Sequence, residues 1–130
     1  DALSMRAVLN YTRGEQQATG ANTEPADRIP PFNGNLSLSY DNGGDYRFDS
    51  WLKFASGQDR LSARDVRDTR IDPQGTPGWA VIGARAQWDF RDRWLLSLTL
   101  DNLLDKRYRV HGSGLDAPGQ NLMIGLRYKW

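Results

Sequence analysis

Apolar and polar residues alternate with a period of two along six stretches of the chain, and almost nowhere with the 3.6-residue period of a helix. The stretches are residues 3–12, 32–40, 46–55, 80–90, 94–101 and 122–130. In the first, Leu3, Met5, Ala7, Leu9 and Tyr11 interleave with Ser4, Arg6, Val8, Asn10 and Thr12. Across all six, one set of alternate positions holds 30 residues, of which 28 are apolar or aromatic and none is charged. The other set holds 27, and only Val8, Trp51, Ala55, Val81, Leu95 and Met123 among them are apolar. A pleated strand keeps residues i and i+2 on one side, whereas a helix would mix the two sets. The pattern predicts six antiparallel strands with one apolar and one polar face.

The connections carry a second regularity. They span residues 13–31, 41–45, 56–79, 91–93 and 102–121, so that long and short alternate. The short ones, Asp41-Asn42-Gly43-Gly44-Asp45 and Arg91-Asp92-Arg93, are made of turn-forming residues, and all six prolines lie in the long ones. In an antiparallel meander this gathers the short turns at one end and the long loops at the other, as in an outer-membrane barrel. The apolar-face aromatics Tyr40, Tyr46, Phe48, Trp88, Phe90, Trp94, Tyr128 and Trp130 all fall beside the short turns or the C-terminus. Leu36, Leu38, Leu52, Ile82, Leu98 and Ile124 lie further along, and Tyr11, Phe32 and Phe54 mark the opposite rim. Rings at both ends of an aliphatic band match the girdles of a membrane–water boundary.

Alternation alone is symmetric between a membrane barrel, apolar outside, and a soluble lipocalin-like barrel, apolar inside. The sorting of rings by height favours the membrane. So does charge, because a Lys or Arg facing lipid costs about 2–4 kcal/mol at the midplane. Arg6, Arg47, Asp49, Lys53, Arg85, Asp89, Asp101, Arg127 and Lys129 all fall on the other face. The smallest such barrels have about eight strands, so six imply an open part of a larger wall whose edges need partners. The fold expected is all-β: an antiparallel, up-and-down transmembrane β-barrel segment over residues 1–130. With Asp1 running almost directly into a patterned stretch, the chain is expected to be a piece of a longer protein.

Composition narrows the chemistry. Seventeen basic and sixteen acidic residues give a net charge of +1, which points to no nucleic-acid partner. The absence of cysteine removes disulfides, thiolate metal sites and a thiol nucleophile, and a single histidine, His111, removes any multi-histidine metal centre. No run approaches the roughly 18 apolar residues of a spanning helix.

Near the C-terminus the residues become specific. Asp101-Asn102-Leu103-Leu104-Asp105-Lys106-Arg107-Tyr108 is followed by a loop containing Pro118-Gly119-Gln120-Asn121 and by a final alternating stretch ending in Trp130. This resembles the end of a TonB-dependent outer-membrane receptor, whose pattern is Asn-Leu-x-Asp-x-x-Tyr, a Pro-Gly-x-Asn loop and a last strand with an aromatic terminus. Asp27-Arg28-Ile29-Pro30-Pro31, and the passage from Gln58-Asp59-Arg60-Leu61 to Gly75-Thr76-Pro77-Gly78-Trp79, resemble further stretches of the same barrels. The resemblance implies a barrel of about 22 strands, of which these six are the last, with a plug and a TonB-coupling motif upstream. It implies import of a scarce ligand (a ferric siderophore, haem, cobalamin or similar) rather than catalysis, with no cofactor and no resident metal. It also implies bacterial outer-membrane lipid, TonB and the barrel-assembly machinery as partners, and a periplasmic C-terminus. Leu122, Ile124, Leu126, Tyr128 and Trp130 resemble the assembly signal, with Trp130 where phenylalanine is more usual. A passive porin-like or adhesin barrel is the alternative, and a soluble lipocalin-like binder a third.

Few residues offer chemistry. His111-Gly112-Ser113-Gly114 lacks the strand–turn–helix setting of a nucleophile elbow and is expected to be a glycine-rich loop. His111 is a candidate contact for haem or a chelate. Arg60, Arg64, Arg67 and Arg70 are candidates for capturing an anionic ligand, set against a solvated loop whose arginines balance Asp59, Asp65, Asp68 and Asp72. Asp49, Lys53, Arg85 and Asp101 are expected to form cross-strand pairs or to face the plug. Trp51, out of place on the polar face, is expected to pack against the plug or under a loop.

Overall fold

A computed structural model describes residues 2–18 and 22–130; part of the connection 13–31, and Asp1, lie outside the described residues. In chain order the elements are β1 (Leu3–Asn10), β2 (Glu15–Gln17), β3 (Thr23–Pro25), β4 (Asn33–Asp41), β5 (Tyr46–Ala55), α1 (Ala63–Arg67), β6 (Trp79–Phe90), β7 (Trp94–Asp101) and β8 (Asn121–Tyr128). Six of the strands form one antiparallel sheet in the order β1-β4-β5-β6-β7-β8, each beside its neighbour in the meander, and β2 and β3 form a small hairpin apart from it.

The register keeps the two faces separate from edge to edge. Met5, Leu38, Ser50, Ala84, Leu100 and Leu122 stand opposite one another in a single row across all six strands. The next row on that side runs Leu3, Tyr40, Phe48, Ala86, Leu98 and Ile124. On the other side Ser4, Ser39, Asp49, Arg85, Thr99 and Met123 form a row. A slip of one residue in any pair would carry charges onto the apolar side, and none occurs.

Predicted and observed strands differ at their ends for local reasons. β1 stops at Asn10, opposite Asn33, because β4 offers no partner beyond it. β8 stops at Tyr128, opposite Trp94, where β7 begins; Trp130 extends past its partner strand and is fully exposed. The short turns are tight. Asp41 and Asn42 side chains accept from the Gly43 and Gly44 amides at 2.8 and 2.9 Å, and Arg91 and Asp92 both take left-handed φ, 52° and 57°.

The sheet encloses no core. Among the described residues only Ala55, Ile71 and Val81 are buried apolar side chains, while Leu38, Leu98, Leu126 and Ile124 are between 41% and 70% exposed. Trp51 is accounted for within the sheet. It stands opposite Gly83, and its indole lies so close that a methyl group on Gly83 would overlap the ring. A ring laid over a cross-strand glycine fills the gap the missing side chain leaves. Lys53 adds its ammonium 5.9 Å from the ring centroid.

Candidate functional site

The polar face is hollow. An open depression of about 690 Å³ is lined by Arg6, Asn35, Ser37, Asp49, Lys53, Arg85, Thr99 and Asp101, together with Trp51. Arg85 donates from Nε to Thr99 Oγ1 at 3.1 Å, and Thr99 is only 6% exposed. Towards the short-turn end Arg47 bridges Asp41 at 3.1 Å and Asp89 at 3.5 Å, and Lys129 reaches Asp89 at 3.6 Å. Asp49 stands opposite Arg85 in the register. The pairs of Arg47 and Lys129 are partly solvated and each contributes little to stability. Among the described residues Asp49, Lys53, Arg85 and Asp101 form no salt bridge, so the expected cross-strand pairing of those four does not form.

On the opposite face the rings form a ladder. Tyr46, Trp88, Phe90, Trp94, Tyr128 and Trp130 follow one another with centroids 4.7–6.3 Å apart. The spacing is that of favourable aromatic contacts. Tyr40 and Phe48 are opposite partners at the same end. At the far end Phe32 and Phe54 meet edge to face at 5.7 Å.

The long connections interlock. Ser62 caps α1, accepting from the Asp65 amide at 3.0 Å, while the Asp65 carboxylate, 2% exposed, turns back to the Ser62 amide at 3.4 Å. Asp65 also receives the Arg28 amide on both oxygens, at 3.2 and 3.1 Å, and Arg28 holds a left-handed φ of 55° to present it. Glu24 accepts from the Ala63 amide at 2.9 Å, and Asp27 accepts from Ser62 Oγ at 2.8 Å and from Gln16 Nε2 at 2.9 Å. The Ser62 hydroxyl, with help from Gln16 and Arg64, holds the Asp27 carboxyl below its usual range. Buried Gln58 donates to the Ile29 carbonyl at 2.7 Å.

The four predicted arginines lie in this layer but do not converge on one point. Arg60 pairs with Glu15 at 3.4 Å, Arg64 with Asp27 at 3.2 Å, and Arg70 with Asp68 at 2.6 Å. The fork of Arg70 donates twice to Asp68, keeping that carboxyl well below the usual range and raising the guanidinium above its own. Arg67 donates to the Ala63 carbonyl at 3.0 Å and has no carboxylate partner among the described residues. His111 lies in the third long loop, with Nδ1 2.9 Å from Thr76 Oγ1 and a buried Nε2 that has no hydrogen-bond partner among the described residues. Burial pushes the imidazole below its ordinary value, and Asp65 partly opposes that shift.

The stretch 101–120 reveals what its motif does. Asn102, 5% exposed and left-handed at φ 52°, donates from Nδ2 to the carbonyls of Lys106 and Pro118 at 2.9 and 3.2 Å and accepts the Lys106 amide at 2.9 Å. Asp105 accepts the Gln120 amide at 2.9 Å across Gly119, where a Cβ would crowd the carboxylate. Tyr108 packs on Trp79 with ring centroids 4.5 Å apart. The Asn-Leu-x-Asp-x-x-Tyr residues thus tie off the base of the loop. The hairpin β2–β3 and helix α1 escape a periodicity search because each is too short to complete a pattern; Ser62 and Asp65, three apart, were the only sequence signal for α1.

The sequence profile of the family described as TonB dependent receptor-like, beta-barrel matches residues 2–103. The chain belongs to the TonB-dependent receptor family. No curated protein matches the sequence. Among solved structures, the copper transporter OprC is similar over 98% of this chain at 21% identity with a TM-score of 0.80. A G324V mutant of the ferric enterobactin receptor PfeA from Pseudomonas aeruginosa is similar over 98% of the chain at 16% identity with a TM-score of 0.65. The chain spans about a fifth (20%) of the length of each. At these identities the likeness bears on the fold, and it extends through residues 104–130, beyond the profile match. TonB-dependent receptors are outer-membrane proteins of transport rather than catalysis, and the antiparallel six-stranded sheet is part of such a barrel.

Proposed function

We propose that the chain forms part of the wall of a receptor that uses TonB-transmitted energy to import a scarce ligand without chemically altering it. One observation carries this reading: the open hollow lies on the polar face, which supports the charge-free apolar face as the outer side of the wall. A soluble ligand-binding barrel needs the reverse. With three buried apolar side chains among the described residues, the apolar face has no protein core to serve and is left to lipid. Short turns are periplasmic in such barrels, so in this reading the short turns, Trp130 and the aromatic ladder lie on the periplasmic side and the long loops outside. Leu122, Ile124, Leu126, Tyr128 and Trp130 all lie in or just past β8, an open edge, in keeping with an assembly signal.

The polar hollow faces the plug, supplied from outside this segment, and Trp51 over Gly83 gives that contact a rigid surface. Arg60 and Arg64 serve to fasten one loop to another and Arg70 is held by Asp68 within its own loop, which leaves Arg67 and His111 as the candidates for ligand contact. The names of the two structural neighbours, a copper transporter and a ferric enterobactin receptor, support a metal ion or metal chelate as cargo. The test is uptake of labelled copper and of ferric chelates by cells carrying the intact protein, with and without a protonophore. Uptake that stops when the inner membrane is de-energised supports coupled import; uptake that continues identifies a passive pore and overturns the proposal.

A further inference from the structure

The two outer joints are unequal. Between loop 13–31 and loop 56–78 run the contacts of Asp65 with Arg28, Ser62 and Arg64 with Asp27, Ala63 with Glu24, Gln58 with Ile29, Arg60 with Glu15, and Arg28 with Asp68 at 3.2 Å. Loop 102–120, by contrast, is closed on itself at its base by Asn102 and Asp105, and its glycine-rich tip meets the layer through little. The one hydrogen bond there among the described residues is His111 to Thr76, beside which the Arg70 side chain lies along Gly114, itself left-handed at φ 74°. The tip exposes Val110 and Leu115, at 47% and 77%, and so has no apolar anchor of its own.

We propose that loop 102–120 is a flap latched to the loop bearing α1 by His111 and Thr76, and that acid releases the latch. The imidazole has one nitrogen satisfied and the other buried without a partner among the described residues, so docking tolerates the neutral ring and resists a second N–H with its charge. The charged groups on the flanking elements are Arg64, Asp65 and Arg67 on α1, Asp68 and Arg70 paired beyond it, Asp72 on the loop that carries Thr76, and Asp105, Lys106, Arg107 and Arg109 on the flap, Arg109 being paired with Asp116 at 2.7 Å. Of these, Asp65 attracts the imidazolium and works against release, and desolvation outweighs it. The sign follows by linkage. A histidine depressed in the docked state favours docking fully above its free value of 6.5, and the advantage is lost as pH falls below it. Each unit of depression corresponds to about a tenfold weakening of docking.

Hydrogen exchange in the intact barrel, corrected for intrinsic rates, tests this at pH 7.5 and 5.5 without any ligand. Protection of amides 110–116 should fall several-fold in acid, while amides 24–29 and 62–67 stay constant. H111Q, which cannot be protonated, should abolish the difference, and T76V should lower protection at pH 7.5. Equal protection of 110–116 at both pH values, or a pH dependence that persists in H111Q, overturns the proposal. Because exchange reads the flap and not import, its outcome is separate from that of the uptake experiment.

Discussion

Leu38 and Ser39 are adjacent residues of β4 that face opposite ways, and exchanging each for arginine asks which side touches lipid. Leu38 lies near the middle of its strand, 41% exposed, in the row that runs from Met5 to Leu122 with no charge in it. Ser39 lines the polar hollow and stands between Ser4 and Asp49, a carboxylate that would welcome a guanidinium. An arginine at the bilayer midplane costs about 2–4 kcal/mol, a factor of roughly 30 to 1,000 in the folding equilibrium. A polar-side arginine beside Asp49 should stay within about 0.5 kcal/mol of the parent. Equilibrium urea unfolding of the intact barrel from lipid vesicles measures both. Leu38→Arg should lose at least about 2 kcal/mol more than Ser39→Arg. Equal losses, or a larger loss at Ser39, would mean that the two faces have been assigned the wrong way round, and the lipid-facing ladder, the orientation and the importer reading would go with them.

Asn102→Ala removes three hydrogen bonds of a buried side chain and should destabilise the 102–120 loop by about 3 kcal/mol, visible as faster proteolytic nicking there while the sheet stays intact. Gly83→Ala should cost about 1–3 kcal/mol by displacing the Trp51 indole. The double variant with Trp51→Ala should cost less than the sum, and simple additivity would refute the contact. The carboxylates that fasten the first two loops should hold in mild acid. Asp27 and Asp68 are both depressed in the folded protein, so their stabilisation is present above the unfolded value of 3.8 and is lost as pH falls through the lower folded values. Protection of amides 24–29, corrected for intrinsic exchange rates, should therefore be flat between pH 7 and 5 and fall below about 4.

The sheet was legible in the sequence because its two faces differ in polarity at every alternate position. A period-two sort of 57 positions leaves charge on one side only, and the observed register keeps that sort across every strand pair. Strand ends were less legible, since Asn10 and Tyr128 end where a neighbouring strand runs out of residues, which no local pattern records. Membership of the polar side does not mean freedom to change either. Thr99 belongs to that side, yet it is nearly buried against Arg85, and an arginine there would crowd a like charge. Trp51 broke the alternation for a reason that lies on another strand, at Gly83, and sequence order gives no hint of that pairing. The arginines of loop 56–78 were legible as charge but not as geometry. Three of them are committed to Glu15, Asp27 and Asp68, two of those in segments that are distant in sequence or separated by a turn.

The loop layer and the wall are held by different forces, and this bears on which residues are free to change. The wall depends on the environments on its two sides, so nearly every residue of the sheet is constrained by where it faces. The loop layer depends on a few directional bonds: the Ser62–Asp65 cap, the carboxylates that receive the Arg28 and Ala63 amides, and the Asn102–Asp105 tie at the base of the flap. None of these involves the apolar face or the strand register. The exposed tips between them, such as Val66, Val110 and Leu115, are therefore free to vary without loosening either the ties or the wall. Substitutions at those tips should therefore leave both the ties and the sheet intact, whereas a change at Asn102 or Asp65 should loosen the loop layer as a whole.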